Sequence, residues 1–158
     1  MPAPRVQWNS RTSWRAKLRK PAQPKMVPIS DGMAKRFGHG MMLIPTALEV
    51  DAMVRKIPRG QVATLAEIRK RLARWHRVDV TCPLVTGIFL RIVAEAAEED
   101  RLAGREDVTP YWRIVREDGR LNPKFPGGVQ AQAQRLREEG HSVADGRVTL
   151  GAQSAPAA

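Results

Sequence analysis

The sequence has a single cysteine, Cys82, and a single tyrosine among its 158 residues. One cysteine excludes an internal disulfide framework and fits a protein of the reducing cytosol. Long apolar runs are also missing, since none approaches the roughly 20 residues needed to cross a bilayer. The amino terminus lacks an apolar core and a cleavage site, so we do not expect a secretory signal. These absences predict a cytoplasmic protein without a membrane partner.

Acidic side chains are scarce in the first 40 residues, where Asp31 stands against nine lysines and arginines for a net charge of +8. The remaining residues contribute only +3 to the total of +11. A basic arm on a nearly balanced domain indicates an anionic partner, most often nucleic acid. The alternative is a solvated tail whose charge only aids solubility. Trp8 and Trp14 in this arm either stack on bases or hold the arm against the domain.

Prolines and charge divide the chain into three parts. Residues 1–40 form a basic, proline-containing amino-terminal arm, residues 41–150 a domain, and residues 151–158 a flexible tail of small and polar residues. Within the arm, Ser13–Arg19 predicts one or two helical turns. A chain of this length is able to bury about 70% of its unfolded surface as one domain.

Helices dominate the predicted domain. Two capping-box patterns, Thr46–Glu49 and Thr64–Glu67, predict the starts of two helices, the first of which ends before Pro58. At helical spacing, the apolar residues expected to be buried are Leu48, Met53 or Ala52, Ile57, Ile68 and Leu72. A further helix is predicted from Val129 to Glu139.

The third predicted helix runs from Pro83 to about Asp100. Its last turn carries the acidic run Glu98–Asp100, which opposes the helix dipole and would repel DNA. We therefore expect only the amino-terminal half of this helix to approach a DNA groove. Asp118–Gly119 and Asp145–Gly146 each predict a β-hairpin, the first of which would serve as a wing.

One short stretch, Pro110–Val115, is more informative than the composition. It is followed by the turn Asp118–Gly119 and by Phe125–Gly128 at a helix start. This order resembles the active-site segment of the O6-alkylguanine-DNA alkyltransferases, in which Pro-Cys-His-Arg-Val-Val precedes a short hairpin and a Gly-Gly helix start. The resemblance extends from about Pro45 to Val143. It implies a mainly α fold with small β hairpins: a winged helix-turn-helix domain that follows the basic arm.

In this resemblance, Tyr111 matches the alkyl-accepting cysteine of the family and Trp112 matches its activating histidine. A phenol with a pKa of about 10 is on the order of 0.1% ionised at pH 7. An indole nitrogen is only a donor and cannot act as a base. We therefore expect no catalytic residue, no cofactor and no metal site. A branch of the family, the alkyltransferase-like proteins, likewise lacks the cysteine.

Five residues are candidates for a lesion pocket: Tyr111, Trp112, Arg113, Phe125 and Glu139. Adjacent aromatic side chains are able to hold an extruded alkylated base, since stacking contributes roughly 1–3 kcal/mol per base. The alternative is that these rings close the cavity and pack as core. Arg113 and Glu139 also have structural interpretations, the first bridging the turn to the domain body and the second ending a helix.

Eight residues are candidates for DNA contacts: Thr64, Arg69, Lys70, Arg74, Leu84, Thr86, Gly87 and Arg91. Leu84 stands where the family has its base-flipping arginine, and Leu65 where it has the tyrosine that pushes on the target phosphate. The helix that begins at Pro83 is almost entirely apolar as far as Val93. Such a helix reads few base edges, so we expect sequence-independent binding to double-stranded DNA.

Three functions remain open from the sequence. The first is a non-enzymatic, alkyltransferase-like protein of the nucleoid that senses O6-alkylguanine in DNA, with nucleotide excision repair proteins as partners, as the resemblance implies. The second is a plain nucleic-acid-binding or regulatory winged-helix module without lesion sensing. The third is an alkyl-accepting methyltransferase that uses Cys82, whose pKa a helix amino terminus is able to lower.

Overall fold

Helices account for most of the regular structure. The computed structural model of the chain describes residues 12–149. The helices are α1 (Trp14–Arg19), α2 (Asp31–Phe37), α3 (Ala47–Arg55), α4 (Leu65–His76), α5 (Pro83–Leu102) and α6 (Gly128–Glu138). The strands are β1 (Lys25–Pro28), β2 (Met41–Ile44), β3 (Ala63–Thr64), β4 (Val80–Thr81), β5 (Ile114–Val115), β6 (Val143–Ala144) and β7 (Arg147–Val148). The prediction of a mainly α fold with small β elements is confirmed.

Local sequence determines where α3 and α4 begin. The hydroxyl of Thr46 accepts a hydrogen bond from the backbone of Glu49, whose carboxylate accepts one from the backbone of Thr46. Thr64 and Glu67 form the same reciprocal pair at the start of α4. Each capping box satisfies two backbone donors that a helix start leaves free. Both predicted helix starts are confirmed.

A helix-turn-helix unit is formed by α4 and α5. Arg77 caps the end of α4 in the left-handed conformation, with a φ of 56°. β4 lies in the turn that follows, and Pro83 is at the first position of α5, where its missing N–H breaks no hydrogen bond. Within residues 12–149, no helix is both long and apolar enough to cross a membrane.

Among the described residues the strands form three small sheets, two of which join segments that are distant in the sequence. In the first, β2 pairs antiparallel with β1 and parallel with β4. Next to it, the carboxylate of Asp79 accepts a hydrogen bond from Met41 N at 2.8 Å. Gly40 lies so close to Asp79 that a Cβ at this position would collide with the carboxylate. In the second sheet β3 pairs parallel with β5, and the third is the β6–β7 hairpin around Asp145–Gly146, as predicted.

The other predicted hairpin, around Asp118–Gly119, is wrong in its pairing. β5 pairs with β3 instead of with Arg120–Leu121. Only the turn itself is closed, by a hydrogen bond from Arg116 N to Arg120 O at 2.9 Å. Beyond the turn, Leu121 N donates to the carbonyl oxygen of Gly146 at 2.9 Å. Both sides of the turn therefore find partners far along the chain, which a local turn signal does not reveal.

The core lies between α3, α4 and α5. Side chains with no exposed surface include Val50, Val54, Ile57, Ile68, Leu72 and Val93. The predicted burial of Ile57, Ile68 and Leu72 is thus confirmed. Leu48 differs from the prediction, since it is 46% exposed. Val50 and Val54 lie on the buried face of α3, and Leu48 faces solvent.

Part of the basic arm packs on the domain. The backbone N–H groups of Trp14 and Arg15, at the start of α1, both donate to the carboxylate of Glu99 at 2.9 Å. A carboxylate at a helix amino terminus is favourable because it complements the helix dipole. The acidic run at the end of α5, which we expected to oppose the helix dipole and repel DNA, therefore binds the start of α1. Residues 1–11, with Trp8, and the tail at 151–158 lie outside the described residues.

Candidate nucleic-acid interface

Tyr111 lies in the interior of the domain. It begins a short 3-10 helix, Tyr111–Arg113, and is 2% exposed. Its ring meets the rings of Trp112 and Phe125 edge-on, with centroids 5.4 and 5.2 Å apart. Its hydroxyl donates to Glu98 Oε2 at 3.0 Å. Burial and then the negative charge of Glu98 raise the pKa of Tyr111, so the phenol stays protonated and is a poor nucleophile at neutral pH.

Glu98 of α5 binds two cations in addition to the phenol. Its Oε2 accepts a hydrogen bond from Arg135 of α6 at 2.9 Å, and its Oε1 accepts one from Arg101 Nε at 3.0 Å. The guanidinium of Arg135 also lies 4.4 Å from the ring centroid of Trp112. A carboxylate that leaves water needs such partners. The hydroxyl of Tyr111 is therefore part of a structural network.

A second carboxylate, Glu139, holds Trp112 and Arg113. It accepts a hydrogen bond from Trp112 Nε1 at 3.1 Å and two from Arg113, from Nε to Oε1 at 2.9 Å and from Nη2 to Oε2 at 2.8 Å. Arg113 Nη1 donates to the carbonyl oxygen of Ile57 at 2.6 Å, which bridges the turn to the domain body. Burial opposes ionisation of Glu139, but the hydrogen bonds from Arg113 and Trp112 outweigh it and hold the pKa of this carboxyl below its usual value.

Gln132, which was not among the predicted site residues, fixes the backbone around the aromatic pair. Its Nε2 donates to the carbonyl oxygens of Trp112 at 3.0 Å and Ile114 at 2.8 Å. Its Oε1 accepts a hydrogen bond from Asn122 N at 2.9 Å. Gln132 lies one turn before Leu136 and is buried with it. A glutamine on the apolar face of a predicted helix is the signal that would have found it.

The amino-terminal half of α5 presents an exposed apolar face. Leu84 is 71% exposed and Ile88 52% exposed, and the exposed Arg91 follows at helical spacing. Gly87 lies between them on the same face. Thr86 differs from the prediction because it is completely buried and its hydroxyl donates to a backbone carbonyl one turn earlier at 2.6 Å. Of the DNA contacts predicted on α5, three share this face and Thr86 points away from it.

An open groove of about 780 Å³ adjoins this face. Its walls come from α5, from α1 and from the segment 114–125. Its described lining contains no carboxylate but four cations, Lys17, Arg91, Arg116 and Lys124. Phe125 contributes to the wall, whereas Tyr111 and Trp112 do not line the groove. The groove therefore offers apolar surface and positive charge, and Phe125 separates it from the aromatic pair.

A family model described as the DNA-binding domain of 6-O-methylguanine DNA methyltransferase matches residues 45–141. The chain belongs to this family. Among solved structures, it is similar to Atl1 of S. pombe in complex with damaged DNA containing O6-carboxymethylguanine, with a TM-score of 0.44 and 24% sequence identity. That similarity covers 66% of this chain and 87% of the other. No curated protein matches the chain.

The methyltransferase-family domain begins just before α3, so α1, β1, α2 and β2 precede it. The groove nevertheless has walls from both parts of the chain, since Trp14 and Lys17 belong to α1. Sequence analysis considered Trp14 for contacts with bases or with the domain but did not place it at a shared wall. The pairing of a basic arm with an acidic helix end is the signal for this contact.

The basic residues of α4 are not gathered at the groove of this methyltransferase-family domain. Lys70 and Arg74 are exposed and Arg69 is half-buried, but α4 reaches the groove only through Leu65. Thr64 serves as the N-cap of α4. The predicted DNA contacts on α4 and α5 thus form separate groups.

Cys82 packs among apolar side chains. It is 7% exposed and forms a small cluster with Ile29 and Met42, and it is not among the residues that line the groove, although the next residue, Pro83, is. A buried thiol in such surroundings behaves as a small hydrophobic residue. Among residues 12–149, no group of three or more histidine, cysteine, aspartate or glutamate side chains is arranged to hold a metal ion.

Proposed function

We propose that this methyltransferase-family protein binds double-stranded DNA without transferring an alkyl group and accommodates an extruded O6-alkylguanine in the groove beside α5. One contrast carries the proposal. The groove has four cations and no carboxylate in its described lining, whereas Tyr111, which matches the family's acceptor cysteine, is buried behind Phe125. Lysines and arginines bind the phosphate backbone, and apolar walls favour a base.

Two features of the groove support contact with a base. The exposed side chains of Leu84 and Ile88 stand at its edge, and Phe125 forms part of its wall. Extrusion of a base from the duplex costs a few kcal/mol, and least for a damaged or mispaired base. A lesion would therefore be bound in preference to an intact guanine. Arg116, on the turn at 116–120, lines the same groove, and we include this turn in the proposal as the wing of the domain.

A lesion that is bound but not repaired needs a second system to remove it. Nucleotide excision repair proteins are partners of this kind, and the proposal places the protein on the nucleoid of the cytoplasm. The second candidate function is sequence-independent DNA binding without lesion sensing. It is favoured by the exposed Lys70, which does not line the groove and would contact phosphates of any sequence.

Binding to two duplexes tests the proposal. One duplex carries a single O6-methylguanine and the other is undamaged, and fluorescence anisotropy is measured over a salt series. We expect a lesion preference of about tenfold or more, equivalent to about 1.4 kcal/mol. Equal affinity with a steep salt dependence would support the second candidate function. Absence of binding to either duplex would refute both.

Mass spectrometry tests the absence of alkyl transfer. After incubation with the lesion-containing duplex, the intact protein should keep its mass, because the only thiol is buried and is not among the residues that line the groove. A methyl adduct on the wild type that disappears in Cys82→Ser would instead establish the enzyme. Cys82→Ser should otherwise bind both duplexes as the wild type does.

A further inference from the structure

One wall of the groove comes from outside the methyltransferase-family domain. The family match begins at residue 45, whereas α1 spans Trp14–Arg19. Trp14 and Lys17 nevertheless line the groove together with Arg91 of α5. The position of α1 therefore determines how wide and how charged the groove is on this side.

The carboxylate of Glu99 anchors α1 through the two backbone hydrogen bonds at its start. Arg15 adds an ion pair with Asp100 at 3.7 Å, and the buried Leu18 packs into the main core. Ser13 caps the helix by accepting a hydrogen bond from Ala16 N at 3.1 Å. So short a helix is marginal by itself. These contacts to α5 and to the core are what hold it in place.

The groove-facing side of α1 combines an aromatic ring with cations. The ammonium of Lys17 lies 4.3 Å from the ring centroid of Trp14, and the guanidinium of Arg91 lies 5.9 Å from the same centroid. Lys124 and the ring of Phe125 line the same groove. Apolar walls bordered by cations, without a carboxylate in the described lining, complement an aromatic group that carries a negative charge. A nucleotide of bound DNA is such a group.

We propose that α1 completes the nucleotide pocket of this chain, with Trp14 as a wall for the extruded base and Lys17 as a contact to its phosphate. The inference rests on the proposed function and adds two residues that precede the family domain. It makes α1 a determinant of lesion preference. Binding of undamaged duplex, which does not fill the pocket, depends little on α1.

Three variants test this inference with the same pair of duplexes. Trp14→Ala should weaken binding of the O6-methylguanine duplex by about tenfold, within the range of lost base–aromatic contacts. Lys17→Gln should weaken it to a smaller degree. Glu99→Ala, which removes the anchor of α1 and does not change a residue of the groove lining, should reproduce the loss seen with Trp14→Ala. All three should bind the undamaged duplex nearly as the wild type does.

Matched controls come from side chains outside the described groove lining. Lys20→Gln removes an exposed cation just after α1, and Trp75→Ala removes an indole of α4 that is 58% exposed. Both should keep the wild-type lesion preference. Thermal unfolding shows whether each variant is folded. If Trp14→Ala does not fold, the lesion preference of Lys17→Gln tests the inference instead.

The outcomes separate the inference from the function on which it rests. Wild-type lesion preference in Trp14→Ala, Lys17→Gln and Glu99→Ala would overturn the inference and leave the proposed function standing. An equal loss for both duplexes would also overturn it, because α1 would then support general binding or folding. A wild type that binds neither duplex would overturn the proposed function itself, and the inference with it.

Discussion

Two regions on either side of Phe125 differ in openness and in charge. On the inner side, Glu98 accepts a hydrogen bond from the hydroxyl of Tyr111, and Glu139 accepts one from the indole of Trp112. Both aromatic side chains are buried. On the outer side, the groove is open and its described lining carries four cations. The comparison teaches that the buried tyrosine at position 111 and the positively charged groove surface are separate properties. The first is built into the core, and the second depends on residues that do not touch it.

Disruption of the inner region should have the largest effect. Arg113→Ala leaves Glu139, with a side chain 4% exposed, without its bidentate partner. Removal of one partner from a buried ion pair costs about 3–5 kcal/mol. Because Trp112 and Arg59 still contact Glu139, we expect the free energy of unfolding, measured with urea, to fall by about 3 kcal/mol, the lower end of this range.

An exposed ion pair supplies the control for this experiment. Arg120 and Asp118 form a pair with side chains that are 55% and 49% exposed. Arg120→Ala should cost less than about 1 kcal/mol, since water solvates both groups. Equal losses in Arg113→Ala and Arg120→Ala would contradict the view that the inner region is a structural network.

A negative charge introduced on the groove face should have a smaller effect, and we expect it to change DNA binding but not stability. Leu84→Glu places a carboxylate on the exposed face of α5, where it would repel DNA phosphates. We expect the affinity for duplex DNA to fall by about tenfold, or about 1.4 kcal/mol. The control is Leu102→Glu, because Leu102 lies at the other end of the same helix and is 75% exposed, close to the 71% of Leu84. An equal loss in both variants would show that net charge, and not the groove face, controls binding.

The smallest effect at neutral pH concerns Tyr111, the sole tyrosine of the chain. Its pKa in the folded protein is raised above the ordinary value of about 10, so the unfolded chain ionises first. The stabilisation from this group is therefore complete below about pH 10 and is lost as pH rises toward the folded pKa. We expect tyrosinate absorbance to appear only together with the loss of helical circular dichroism. Ionisation near pH 10 in a folded protein would place Tyr111 in contact with solvent and refute a sealed inner region.

The features that the sequence predicted correctly are those set by near neighbours in the chain. The capping boxes at Thr46 and Thr64 were predictable because cap and partner lie three residues apart. The hairpin at Asp145–Gly146 was predictable because a two-residue turn needs only local backbone geometry. The placement of Leu84, Gly87 and Arg91 on one face follows in the same way from helical spacing.

Features decided by distant contacts could not be predicted. The turn at Asp118–Gly119 looks like a hairpin locally, but β5 finds a better partner in β3. The acidic run at the end of α5 gives no local sign that α1 binds to Glu99. For Tyr111, a pocket wall and a core position remained equally open, because the partner carboxylate Glu98 lies on another helix.

The parallel pairing of β2 with β4 has a consequence for how the protein folds. It joins Met42 to Val80, so the turn between α4 and α5 is completed by a contact that closes a long loop of chain. Loop closure of this length carries an entropy cost, and contacts of large sequence separation slow folding. We expect α5 to reach its final orientation late, after the segment that precedes the family domain has joined the sheet. An isolated α4–α5 fragment would lack this brace and should not reproduce the native angle between its helices.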